Sequence, residues 1–124
     1  MGARSFEELE VWKKAHELTL AVYKNTEDFP RHELFGLTSQ MRRCSVSITA
    51  NIAEGCGRSN NGDFHRFLQN VMGSAVELEY HVLLAKDLGY LGAHTAVLAP
   101  KVIAVKQMLT KLSRKVAIDR FQRP

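Results

Sequence analysis

Phe64-His65-Arg66-Phe67-Leu68-Gln69-Asn70-Val71-Met72-Gly73-Ser74-Ala75-Val76-Glu77-Leu78-Glu79-Tyr80-His81-Val82-Leu83-Leu84-Ala85 carries two apolar series, both at helical period. One series is Phe64, Phe67, Leu68, Val71, Ala75, Leu78, Val82 and Ala85. The other is Met72, Val76, Tyr80 and Leu83, about a quarter turn away at 100° per residue. A helix packed on one core needs a single stripe of that kind. The first series is therefore read as core. The second, Met72, Val76, Tyr80 and Leu83, is read as the interface of a homo-oligomer, because large apolar patches are rare on monomers; the plainer alternative is that these residues merely flank a wide core contact.

The same periodicity extends in both directions along the chain. Breaks fall at Pro30, at Gly55 to Gly62 and at Gly89 to Gly92, and strand-like alternation is nearly absent. Four helices follow, at about 5–28, 31–54, 62–88 and 93–117, with a frayed tail over 118–124. Ser5 to Glu8 fits a capping box, with Glu8 reaching back to the Ser5 N–H. Gly55 is read as the stop of helix two. Pro100 is tolerated only in a first turn, so helix four either starts late or kinks there. The expectation is one domain over 1–124, an all-α, antiparallel up-and-down four-helix bundle. The 124 residues are enough for one core.

Helix one repeats the two-sided pattern, with Trp12, Leu18 and Val22 in one sector and Leu9, Leu20 and Tyr23 in another. Helix two places Leu34, Leu37, Met41, Cys44, Ile48 and Ile52 on its core face, and helix four places Val102, Val105, Met108, Leu109, Leu112 and Val116 there. No apolar run approaches the roughly 18 residues that span a bilayer. The acidic start is unlike a signal peptide. A cytoplasmic protein with no membrane contact is expected. Cys44 and Cys56, twelve residues apart on one helix, stand too far from each other for a disulfide.

The net charge of +4 is concentrated at one end: residues 91–124 hold seven basic residues and one acidic. Lys106, Lys111, Arg114 and Lys115 fall mostly opposite the helix-four stripe, and Arg120 extends the charge. These five are the candidates for phosphate contact with RNA or DNA. An ordinary solvated lysine face explains them equally well. Without interleaved aromatics or a reading motif, any such binding is weakly sequence-specific.

Arg43, Asn51, Glu54, Arg58 and Glu77 are candidates for a polar network between helices two and three. Small residues at Ser45, Ser47, Ala50, Ala53 and Gly73-Ser74-Ala75 would let those helices approach closely. A ligand site is one reading; structural pairing of Glu54 with Arg43 or Arg58 is the simpler one. Glu77 and His81 are four apart and could share a metal, but a single pair is weak, and no Glu-x-x-His motif of a di-iron bundle occurs. No catalytic residue, metal or cofactor is expected.

Phe29-Pro30, Glu33, Gly36-Leu37-Thr38-Ser39-Gln40, Arg42-Arg43, Ser45-Val46-Ser47-Ile48, Asn51-Ile52-Ala53-Glu54-Gly55 and Gly57-Arg58 form a recognisable pattern. Phe67-Leu68, Gly73-Ser74-Ala75, Glu77-Leu78-Glu79 and Leu88-Gly89-Tyr90-Leu91 continue it. Over roughly Phe6 to Leu112 the chain resembles the bacterial four-helix-bundle family named after intervening sequences in 23S ribosomal RNA genes. The resemblance implies an antiparallel bundle assembled as a homopentameric ring. It also implies kinship with the basic accessory protein of diversity-generating retroelements, which partners a reverse transcriptase and binds nucleic acid. It implies no enzyme. Thr49, where proline is common, and Cys56, where an aromatic is common, depart from the pattern. The leading expectation is nucleic-acid binding by an oligomer; the rival is a scaffold that docks only protein.

Overall fold

The structure is a computed structural model that describes residues 5–58 and 60–122, with the side chains of 118–122 outside the description. The described residues form four α-helices and no strand: α1 Glu10–Asn25, α2 Leu37–Cys56, α3 Asn61–Asp87 and α4 Thr95–Gln122. Short 3-10 turns at Phe6–Glu8, Arg31–Glu33 and Gly92–His94 precede α1, α2 and α4.

Local chemistry moves several boundaries from where periodicity put them. The Ser5 hydroxyl accepts from the Glu7 N–H at 3.3 Å, but it caps only a 3-10 turn. Leu9 is extended, so α1 begins at Glu10 rather than at Ser5. At the other end, Thr26 Oγ1 donates to the Val22 carbonyl at 2.8 Å and Arg42 Nη2 donates to the Tyr23 carbonyl at 3.3 Å. Side chains thus satisfy the last carbonyls and α1 stops at Asn25, short of Asp28. Helix two starts at Leu37, not Arg31, because the Glu33 carboxylate accepts from the Leu37 N–H at 3.2 Å and closes that end. Leu34, expected in the core, lies outside the helix and is half exposed.

Gly55 is not the stop of α2. It sits inside the helix, where a Cβ would come 2.8 Å from Phe67 Cβ, so its missing side chain is what lets α3 approach. Asn60 caps α3, its Oδ1 accepting from the Asp63 N–H at 2.8 Å. Gly89, at φ +80°, ends α3 in a Schellman turn: its N–H donates to the Lys86 carbonyl and the Tyr90 N–H donates to the Ala85 carbonyl. Helix α4 does not start late and continues past residue 117, where the tail was expected to begin; positions 123 and 124 of that tail lie outside the described residues. The helix runs through Gln122 with Pro100 inside it, leaving the Ala96 carbonyl without its usual i+4 donor.

Each helix packs on its neighbours in the chain, and α1 closes against α4; the diagonal pairs share no comparable interface. This is a four-helix bundle with its core on the inner stripes. Leu18 and Val22 of α1, Met41, Ile48 and Ile52 of α2, Leu68, Val71 and Leu78 of α3, and Leu98, Val102, Val105 and Leu109 of α4 are all essentially inaccessible. Burying each such side chain contributes roughly 1.5–3 kcal/mol relative to exposure.

Candidate functional site

The basic face of α4 divides. Lys106 Nζ lies 2.9 Å from Glu79 Oε1 and is largely covered, so this cation ties α4 to α3 instead of facing solvent. Lys111, Arg114 and Lys115 are exposed and have no acidic partner among the described residues. They do not share one groove. Lys111 and Lys115 border the α1–α4 cleft beside Leu9, Val11 and Met108, while Arg114 borders the α3–α4 cleft beside Leu68 and Met72. The side chain of Arg120 lies outside the described residues.

The five residues expected to form a polar network do not come together. Arg58 Nη2 donates to Glu54 Oε1 at 3.0 Å in an exposed i, i+4 pair. Asn51 Nδ2 donates to the Ser47 carbonyl at 2.8 Å and to Ser47 Oγ at 3.1 Å, and Ser47 Oγ lies 3.1 Å from Ser74 Oγ. Arg43 is exposed and makes no ion pair among the described residues. Of the small residues, Ser47 and Ser74 line the α2–α3 seam as expected. Ser45 instead faces α1, its carbonyl accepting from Thr19 Oγ1 at 3.2 Å, and Gly73 has open space around it.

Glu77 belongs to a different cluster. The donor atoms of Cys44, Glu77 and His81 lie within 4.8 Å of one another. Cys44 comes from α2, and the other two come from successive turns of α3. The Cys44 thiol donates to the Ser74 carbonyl at 3.0 Å. Burial, then the adjacent Glu77 carboxylate, pushes its pKa up to about 12. His81 is only 5% exposed. Its burial holds the imidazole pKa below the ordinary value, outweighing the opposite pull of Glu77. Its Nδ1 is buried without a hydrogen-bond partner, and its Nε2 stands 3.5 Å from Glu77 Oε2. The Glu77–His81 spacing was legible in sequence. The third member was not, because Cys44 reads as one more residue of the core stripe.

The second apolar series of α3 does face outward. Val76, Tyr80 and Leu83 are each about half exposed, as is Ile103 of α4. They line a groove of about 490 Å³ between α3 and α4, floored by Val82, Ala99 and Val102. Met72 is different: it is partly buried and packs against the core. A second outward set, Leu20 and Tyr23 of α1 with Val46 of α2, lies on the α1–α2 side. At the loop end, Tyr90 donates from its hydroxyl to Glu33 Oε2 at 3.0 Å, joining the α3–α4 connection to the α2 cap; sequence reasoning gave no sign of this pair.

No helix among the described residues is long and apolar enough to cross a membrane. No protein with a curated description matches the chain. The family model described as 23S rRNA-intervening sequence protein, whose role is unclear and which is not a known enzyme family, matches residues 7–111. With four packed helices and a match over most of its length, the chain belongs to the 23S rRNA-intervening sequence protein family.

Proposed function

We propose that the protein is a non-catalytic, cytoplasmic homo-oligomer, a ring of antiparallel four-helix-bundle subunits that offers cations of α4 to the phosphates of RNA or DNA. The antiparallel arrangement is supported by contacts whose numbers fall along α3 and the turn after it as they rise along α2 and the turn before it: Glu33 with Tyr90, Ser47 with Ser74, Gly55 with Phe67. Ring closure is supported by two unlike apolar patches, Val76–Tyr80–Leu83–Ile103 on one side and Leu20–Tyr23–Val46 on another. Unlike patches suit a head-to-tail contact, which builds a ring when the rotation between successive subunits closes. Five subunits follow from the resemblance noted above. So does a reverse transcriptase as one class of protein partner.

The observation that carries the nucleic-acid reading is the pair of unlike roles on α4: Lys106 is spent on Glu79, while Lys111, Arg114 and Lys115 are exposed and unpaired among the described residues. A ring multiplies those cations, and weak contacts add by avidity. Fluorescence anisotropy of labelled single- and double-stranded RNA and DNA across a salt series tests it. The expected result is an affinity that falls linearly in log–log, with a slope of roughly −0.7 to −0.9 per phosphate neutralised. Replacing Lys111, Arg114 and Lys115 together by Ala flattens that slope. No binding at low salt, where attraction is strongest, removes nucleic acid from the account and leaves a ring that docks protein alone.

A further inference from the structure

We propose that Cys44, Glu77 and His81 form a binding site for a zinc-like divalent cation that clasps α2 to α3. The donor set has the right chemistry. A thiolate sulfur, an imidazole nitrogen and a carboxylate oxygen are the three ligand types that Zn²⁺ takes, and three protein donors leave a fourth tetrahedral position for water. The geometry is close to what a cation needs. The three donor atoms already lie within 4.8 Å of one another. Ligand bonds of about 2.0–2.3 Å would draw them together by a few tenths of an ångström to about an ångström. Glu77 and His81 are placed by one turn of α3, and Cys44 is placed by the close approach of α2.

An independent observation points to a ligand. His81 is almost wholly buried, yet Nδ1 has no hydrogen-bond partner and Nε2 has only the Glu77 carboxylate at 3.5 Å. That distance is longer than a good hydrogen bond. Buried ring nitrogens are ordinarily satisfied, so this imidazole has bonding capacity that the protein alone does not use. Entry is open on one side, because the Glu77 side chain is 62% exposed while its two partners are covered. The charges also balance. Binding exchanges the Cys44 S–H bond for a sulfur–metal bond and releases the proton to solvent. A thiolate, a carboxylate and a neutral imidazole then surround a doubly charged cation, leaving the half-buried site neutral.

Titration of the purified, tag-free chain with Co²⁺, followed by displacement with Zn²⁺, tests the site. Thiolate ligation gives a near-ultraviolet charge-transfer band and tetrahedral ligation gives intense visible bands. Both are expected with one cation per chain, lost in Cys44→Ala and kept in Cys56→Ser. Glu77→Gln, at an exposed position that leaves the fold intact, is expected to weaken binding by at least the roughly 10–100-fold that even outer-shell partners carry. Zn²⁺ is expected to raise the Tm of the unmodified chain and not of Cys44→Ala. Absence of the charge-transfer band at excess Co²⁺ overturns the proposal. A band that survives Cys44→Ala, or an affinity untouched by Glu77→Gln, overturns it equally.

Discussion

Helix α3 packs against α2 along one side and against α4 along the other, but only the second boundary leaves an apolar groove at the surface. The α2–α3 seam is built from small and polar residues. Gly55 admits Phe67, Ser47 meets Ser74, and Cys44 reaches the Ser74 carbonyl. The outer α3–α4 boundary is lined by Val76, Tyr80, Leu83 and Ile103, which are half exposed and border an apolar groove. One ion pair, Lys106 with Glu79, bridges it. Small residues bring donors into reach of one another; large ones leave a surface that a second molecule can cover.

The contrast breaks most sharply at Gly55. Gly55→Val places a branched side chain where even a Cβ lies 2.8 Å from Phe67 Cβ. A destabilisation of about 3 kcal/mol is expected in urea unfolding, at the upper part of the range for overpacking. At the α1–α2 boundary, Thr19→Val keeps the shape but removes the hydroxyl that donates to the Ala15 and Ser45 carbonyls. About 1 kcal/mol is expected there. Across the groove, Lys106→Ala removes one bridge between partly exposed groups, and the effect expected in the same assay is about 0.5 kcal/mol.

The loop end of the bundle responds to pH. The Leu37 N–H and then the Tyr90 hydroxyl hold the Glu33 carboxyl below the ordinary value. Its folded pKa is therefore lower than its unfolded one, near 4.3. The stability it contributes is fully present above that value and is lost as pH falls through the folded pKa. Glu33→Gln should flatten this acid limb of the stability curve, whereas Lys106→Ala should leave it in place.

The helices were legible because periodicity and punctuation agree along the whole chain. Their ends were less so, because Thr26, Arg42 and Glu33 satisfy helix termini with side chains from elsewhere. Gly55 shows the limit of local reading. Glycine after a helical run signals a stop, but here α3 packs where its side chain would be. The outward stripe Val76–Tyr80–Leu83 was visible from spacing alone, while the fate of Lys106 depended on Glu79, 27 residues away. The cluster at Cys44 was hidden because sequence places its members on two faces of two helices, and only packing at the seam unites them.

In the proposed ring the α3–α4 groove is covered by another subunit. Size-exclusion chromatography with light scattering on the unmodified chain and on Val76→Glu/Tyr80→Glu tests it most directly. Both positions are exposed, so the helices should survive the change, as circular dichroism would verify. The unmodified chain is expected at a multiple of 14.0 kDa that matches a ring of five. The variant is expected as a 14.0 kDa monomer. A monomer mass for the unmodified chain, or an assembly that the two charges leave intact, would contradict the proposed ring.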